Sequence, residues 1–246
     1  MSTVGAKRFY AQVGVTQQDD GFVVLLDGRR ILTPAKKPLA FSSAALARAV
    51  AAEWDSQGER IRPSAMPLTS ITYTAVDLVA TQRDAVVAEL VGYGGTEMMC
   101  YRDETTPELQ ERQRAIWQPL LDWAARELDA PLRLASGIIH VEQPATSLLA
   151  LRRRVDALDD MALSALATAV RASGSLIVSL ALLEGRLDSS AAFEAAELDE
   201  SYALEKWGAD DEAAERQAEV RFDLEVAARF FDLCGAHSPP EQPSVK

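Results

Sequence analysis

Gly174, Gly185, Gly208 and Gly235 punctuate the C-terminal part of the chain, and the segments between them carry apolar residues at helical spacing. Such segments can bury their apolar stripes only by packing as helices against one another. They run over roughly 146–172, 175–184, 189–207 and 210–233. A glycine just past the last periodic residue is a stop signal, because it takes the left-handed cap conformation without steric cost. Upstream, Thr106-Pro107 predicts an N-cap followed by a first helical residue. Ile116, Trp117, Leu120, Leu121 and Ala124 then form a stripe that Pro119 is expected to kink or break. Leu132 to Glu142 stays ambiguous, since Gly137 and Ile138-Ile139 suit either a hairpin or a lone strand.

The N-terminal residues read differently. Phe22 to Leu26 is an apolar run, Asp27-Gly28 a strong hairpin signal, and Arg29 to Thr33 the returning strand, with Val13 and Val15 alternating in a strand before it. Helical period starts after Phe41, with Ser42 or Ser43 as cap and Leu46, Val50 and Trp54 on one stripe. Leu68, Ile71, Ala75 and Leu78 give a second stripe, and Val86, Val87, Leu90 and Val91 a third, which Gly92, Gly94 and Gly95 are expected to interrupt. The expected class is therefore α+β. A small β-rich domain with helices spans 1–92, a mainly α-helical domain 93–235, and a Pro-rich, polar, disordered tail 236–246.

Charge narrows the function classes. The chain of 246 residues carries a net charge of −12, which argues against a nucleic-acid partner, since phosphate binding needs clustered Lys and Arg. The acidity is local: residues 184–225 hold 14 acids and 4 bases, whereas residues 1–62 hold 6 acids and 9 bases. That region is either a solvated helical face or a docking surface. The N-terminus has no apolar stretch typical of a secretory leader, and the longest apolar run, Leu176 to Leu183, is far short of a membrane span. Cys100 and Cys234, far apart, read as buried free thiols, and the expected location is the cytoplasm.

Enzyme signatures are missing. There is no phosphate-cradling P-loop and no dinucleotide fingerprint, and Gly92-Tyr-Gly-Gly95 reads as a turn. His140 and His237 are too far apart for a zinc site, so no metal and no cofactor are expected. Glu53 and Asp55 flank Trp54, but on a helix they point apart. The one enzymatic alternative is a cofactor-free site around His140 or Cys100.

A single residue breaks its pattern. On a helix over 189–207, at about 100° per residue, Phe193, Ala196, Leu204 and Trp207 form a stripe, and Glu200 falls inside it. A carboxylate there either meets an internal arginine, escapes at the rim, or belongs to a surface that a partner covers. The last reading makes Glu200 a partner contact. Asp199, Tyr202 and Glu205 lie on other sides of the same helix, and Asp210, Asp211 and Glu212 suit the start of the next.

The motif order resembles the ATP synthase assembly chaperones that handle the alpha subunit of the catalytic head. The matching stretches are Lys7-Arg-Phe-Tyr10, Leu26-Asp-Gly-Arg29 with Thr33-Pro34, Ala52-Glu-Trp-Asp-x-Gln57, Met66-Pro-Leu68, Thr74-x-x-Asp77, and Cys100-Tyr-Arg102. Pro119-Leu-Leu-x-Trp123, Gly137-Ile-x-His140, Gly174-Ser175-Leu176 and Glu205-Lys-Trp-Gly208 complete the series. The resemblance implies a non-enzymatic, ATP-independent, monomeric chaperone without a cofactor. It would bind the unassembled alpha subunit until the beta subunit takes the same surface. It also implies that Asp199, Glu200, Tyr202, Glu205 and Trp207 contact the partner. The chain departs from the family pattern at Ala203, where Gln is frequent, and at Glu97, where Asp is frequent.

Overall fold

The structure is a computed structural model that describes residues 6–136, 139–208 and 211–235. The chain divides into two compact units. Among the described residues, 6–83, 160–165 and 229–235 form the first, and those within 84–159 and 166–228 the second.

The first unit is built on an antiparallel sheet, β1 (Val13–Gln18), β2 (Gly21–Leu26) and β3 (Arg29–Arg30), in that order. Asp27 and Gly28 both take positive φ, 48° and 79°, so the two-residue turn matches the right-handed twist of the strands it joins. The Asp27 carboxylate also accepts hydrogen bonds from the Ala11 and Gln12 N–H groups, which ties the chain before β1 to the hairpin tip. Helix α1 (Ala44–Asp55) packs on β1 and β2 through Leu46, Val50 and Trp54, capped by the Ser43 hydroxyl. Glu53, at the border of the same face of α1, accepts from the Leu68 and Thr69 N–H groups at 2.8 Å each and from the Thr69 hydroxyl. It thereby closes the N-terminus of α2 (Pro67–Thr74), whose first N–H groups have no partner within the helix. A π-helical turn, Ala75–Val79, follows and carries Asp77. Its carboxylate takes the Thr33 hydroxyl at 2.6 Å and the Ala35 N–H at 3.0 Å, so two distant motif residues meet.

Helix α3 (Ala80–Gly95) runs on through Gly92 and Gly94; the interruption expected there is absent, and the departure from helical geometry falls at Gln82. Burial explains the tolerance. A Cβ on Gly94 would sit 2.9 Å from Leu151 and 3.4 Å from Leu176, so glycine there permits close approach to α5 (Ala145–Asp156) and α7 (Leu176–Leu183). Helix α4 (Pro107–Glu127) likewise continues past Pro119. Pro119 and Ala115 both face solvent, so water can take the carbonyl that the missing N–H leaves free. The 132–142 stretch yields β5 (Ala135–Ser136), parallel to β4 (Tyr101–Arg102). Gly137 and Ile138 lie outside the described residues, as do Asp210, His237 and the 236–246 tail.

Two expected helices are divided. The 146–172 segment becomes α5 and α6 (Asp160–Ser173), and 189–207 becomes α8 (Ser189–Ala196) and α9 (Leu198–Trp207). The last helix, α10, spans Asp211–Cys234. Every residue of α7 is buried, which makes it the central helix of the second unit. Trp117 and Trp123 are 2% and 1% exposed and pack there, and Trp54 packs in the first unit, as the stripes of Trp117 and Trp54 predict.

Candidate functional site

The break at Glu197 changes the geometry on which the Glu200 argument rests. Glu197 leaves helical geometry at φ −103°, ψ 18°, so Phe193 and Glu200 share no continuous stripe. A pairing with a later helix sits at the break. Glu197 is buried, its side chain 7% exposed, and Arg216 of α10 grips it with two hydrogen bonds of 3.1 and 2.7 Å. Within α9 a shorter stripe survives. Glu200, Leu204 and Trp207 are four and three residues apart and so lie on one face. Glu200 and Leu204 are half-buried, and Trp207 is 81% exposed.

The opposite face of α9 docks on α4. Tyr202 is buried, with Arg112 and Lys206 over its ring at 5.1 Å each. Its hydroxyl donates to Glu108 at 3.2 Å. Arg112 holds Glu205 at 2.8 and 3.0 Å, and Lys206 holds Glu108 at 2.8 Å. The Lys206 ammonium and the Tyr202 hydroxyl lower the pKa of Glu108, so this lattice of charges is set at neutral pH. Of the five residues singled out in the sequence, Tyr202 and Glu205 are therefore engaged within the chain. Glu200 and Trp207 present themselves outward, and Asp199 does both, open to solvent on one edge and bonded to Gln113 on the other.

Asp199 and Glu200 line one cleft of about 610 Å³ with Met98, Tyr101, Gly174 and Arg216. Asp199 shows one edge to solvent, while crowding on its inner side raises its pKa against the Gln113 amide that donates to it at 2.8 Å. Glu200 is loosely held, its nearest cation being Arg216 at 3.8 Å. Beneath Asp199, the Arg102 guanidinium reaches the Gln113 carbonyl at 2.8 Å and lies 5.3 Å from the Trp117 ring centre. Trp117 in turn donates to the Ala195 carbonyl at 2.8 Å, fixing the end of α8.

Sequence reasoning did not assign roles to Glu197, Arg216 or Glu97. Glu97 is fully buried beside the cleft residues Thr96 and Met98, and its carboxyl faces the N-terminus of α7, where Ser175 and the Ile177 N–H bond it. Burial pushes its pKa up to about 7 despite those bonds. The enzymatic alternative finds different surroundings. Cys100 is buried, its thiol pushed up to about 12 chiefly by burial, so it stays protonated at neutral pH. His140 is exposed, with its Nδ1 3.2 Å from the Tyr101 hydroxyl. No group of three His, Cys, Asp or Glu among the described residues is arranged to hold a metal, and no helix among them is long and apolar enough to cross a membrane.

A helical unit that offers a cleft edged by two carboxylates, Asp199 and Glu200, and an exposed tryptophan on the same helix as them has the features of a protein-binding surface. Comparison with known proteins makes that class specific. The crystal structure of Atp12 from Paracoccus denitrificans superposes with a TM-score of 0.89 at 43% identity, covering 93% of this chain and 98% of that one. A mutant of the same protein matches equally well. An Agrobacterium tumefaciens protein matches at 38% identity and a TM-score of 0.87, over 92% of this chain and 85% of that one. The mitochondrial Atp12 protein of Schizosaccharomyces pombe is 27% identical over 221 residues, 85% of this chain and 76% of its own length. The model of the ATP12 chaperone protein family matches residues 7–125. The chain belongs to the ATP12 chaperone family, whose role is in ATP synthase assembly.

Proposed function

We propose that this protein is an ATP-independent chaperone that binds the unassembled alpha subunit of the ATP synthase catalytic head. It prevents aggregation of that subunit until the beta subunit takes over the covered surface. The carrying observation is the outward face of α9, where loosely held Glu200 and 81% exposed Trp207 share one side of the helix. Covering an aromatic side chain of this size contributes roughly 2–3 kcal/mol before association costs. Asp199 and Glu200 supply orientation and charge selection more than raw affinity. Tyr202 and Glu205 hold α9 on α4 and so position that face. Release then requires no nucleotide, only a competitor for the same client surface.

The test is capture and light scattering of isolated alpha subunit in the absence of ATP, with wild type and a Glu200→Lys variant shown by circular dichroism to be folded. The wild-type protein should bind and suppress scattering, and the variant should do neither. Failure of the wild type to do either would overturn the function. Equal performance of both proteins would keep the function and remove Glu200 from the site.

A further inference from the structure

The first unit contains a second cleft, about 520 Å³ in volume, well separated in sequence from α9 and unused by the function proposed above. Phe9, Tyr10 and Trp54 form part of its wall, and Arg29 and Leu32, from β3 and the residue pair that follows it, form another. Three features set it apart. First, Phe9 is 70% exposed and Leu32 50% exposed, so two large apolar side chains of one small cleft are left in water, which marks an interaction site. Second, the Trp54 indole N–H is shielded from solvent and has no acceptor among the described residues, whereas the Tyr10 hydroxyl beside it donates to the Trp54 carbonyl at 2.7 Å. A buried donor without a partner is rare and calls for an acceptor from elsewhere.

Third, the cationic groups here are not equivalent. Arg30 is held by both oxygens of Asp20 and by Gln18, and Arg8 by the carbonyls of Tyr10, Asp55 and Gln57. The exposed Arg29 guanidinium has no hydrogen-bonded or ion-paired partner among the described residues. The strand it stands on is also the open edge of the sheet. The register sets Leu25 opposite Arg30, and the Ile31 N–H bonds the Val24 carbonyl. Because N–H and C=O groups alternate sides along a strand, those of Arg30 and Leu32 turn away from β2.

We propose that this cleft binds an extended segment of a partner polypeptide in which acidic and apolar residues alternate. The segment lies along the free edge of β3 by strand addition. An apolar side chain packs between Phe9 and Leu32, a carbonyl accepts from the Trp54 indole N–H once the exposed Phe9 ring shifts to uncover it, and a carboxylate pairs with Arg29. Charge complementarity selects an acidic strand: the Asp27 carboxylate that also lines the cleft is taken up by the Ala11 and Gln12 N–H groups, Arg29 is left without a partner among the described residues at an edge where main-chain donors turn outward, and a basic strand would meet it with repulsion.

The probe is a blocked decapeptide of alternating Asp and Val, with a Lys-Val counterpart as control. The readout is the indole N–H region of the ¹H–¹⁵N spectrum of the intact chain, with the Trp54 signal assigned by its loss in Trp54→Phe. The Asp-Val peptide should move the Trp54 signal saturably, and the Lys-Val peptide should leave it in place. Arg29→Glu should weaken the acidic peptide by about tenfold or more, the usual loss for a charge-assisted contact. Phe9→Ala should weaken it without altering the charge preference. A Trp54 signal that moves with neither peptide, or equally with both, overturns the proposal, as does unchanged affinity in Arg29→Glu. Glu200→Lys should have no effect, so the outcome is independent of whether α9 binds the alpha subunit.

Discussion

Substituting Glu97 by Gln should change how stability depends on pH. The Glu97 carboxyl is fully buried, and its pKa rises from 4.5 to about 7. The Ser175 hydroxyl and the N–H groups at the start of α7 favour the charged form, but desolvation outweighs them. The native state therefore holds a proton that the unfolded chain has released. Between pH 4.5 and 7 the native state binds more protons than the unfolded state, so stability falls as pH rises. The contribution is fully present below pH 4.5 and is lost as pH climbs through about 7. A tenfold difference in proton affinity between the two states is worth about 1.4 kcal/mol, so this group alone makes the chain about 2–3 kcal/mol less stable at pH 8 than at pH 5. That is a large fraction of the total for a typical domain, about 5–15 kcal/mol. Glu97→Gln keeps the shape and removes the titration. Urea unfolding of both proteins from pH 5 to 8 isolates the effect, because the other groups cancel in the difference. The wild-type curve should fall relative to the variant by about 2–3 kcal/mol over that range. Parallel curves would refute the reasoning, and a wild type that gains on the variant as pH rises would reverse its sign.

Three further outcomes follow from single contacts. Arg216→Ala should destabilise by about 1–3 kcal/mol, because it leaves the buried Glu197 carboxylate without its cation. The loss should shrink in an Arg216→Ala/Glu197→Gln double mutant, measured by denaturant unfolding in a full cycle. Glu53→Ala should cost about 1–2 kcal/mol by uncapping α2, seen as a lower thermal midpoint. Trp207→Ala should leave stability within about 0.5 kcal/mol, since its side chain is exposed, while capture of the alpha subunit in a pull-down falls; a lowered midpoint would place Trp207 in the core instead.

Legibility differed by the range of the interactions involved. The Asp27-Gly28 turn, the Ser43 cap, the Thr106-Pro107 helix start and the core stripe of Leu46, Val50 and Trp54 were all readable, because each depends on residues a few positions apart. The splitting of 189–207 was not. Nothing in its periodicity marks Glu197, which breaks the helix beside a pairing with Arg216, 19 residues further on. The continuity of α3 through Gly94 was hidden in the same way: the glycine reads as a breaker until Leu151 and Leu176 are seen pressed against it.

At the candidate site the sequence singled out a helix over 189–207 through an acid on its apolar stripe, a stripe that the break at Glu197 divides between α8 and α9, and the motif order pointed to the family. It could not sort the five residues. Tyr202 and Glu205 are ordinary surface residue types for such a helix, and only tertiary packing shows them consumed by Arg112, Lys206 and Glu108. Helical phase places a side chain on a face, but which face meets another element depends on partners 90 or more residues away, such as the Arg112–Glu205 pair separated by 93 positions. Local propensity is written in neighbouring residues. Burial, pairing and the pKa of a group such as Glu97 are properties of the space that the folded chain encloses, and they exist only once the helices have packed.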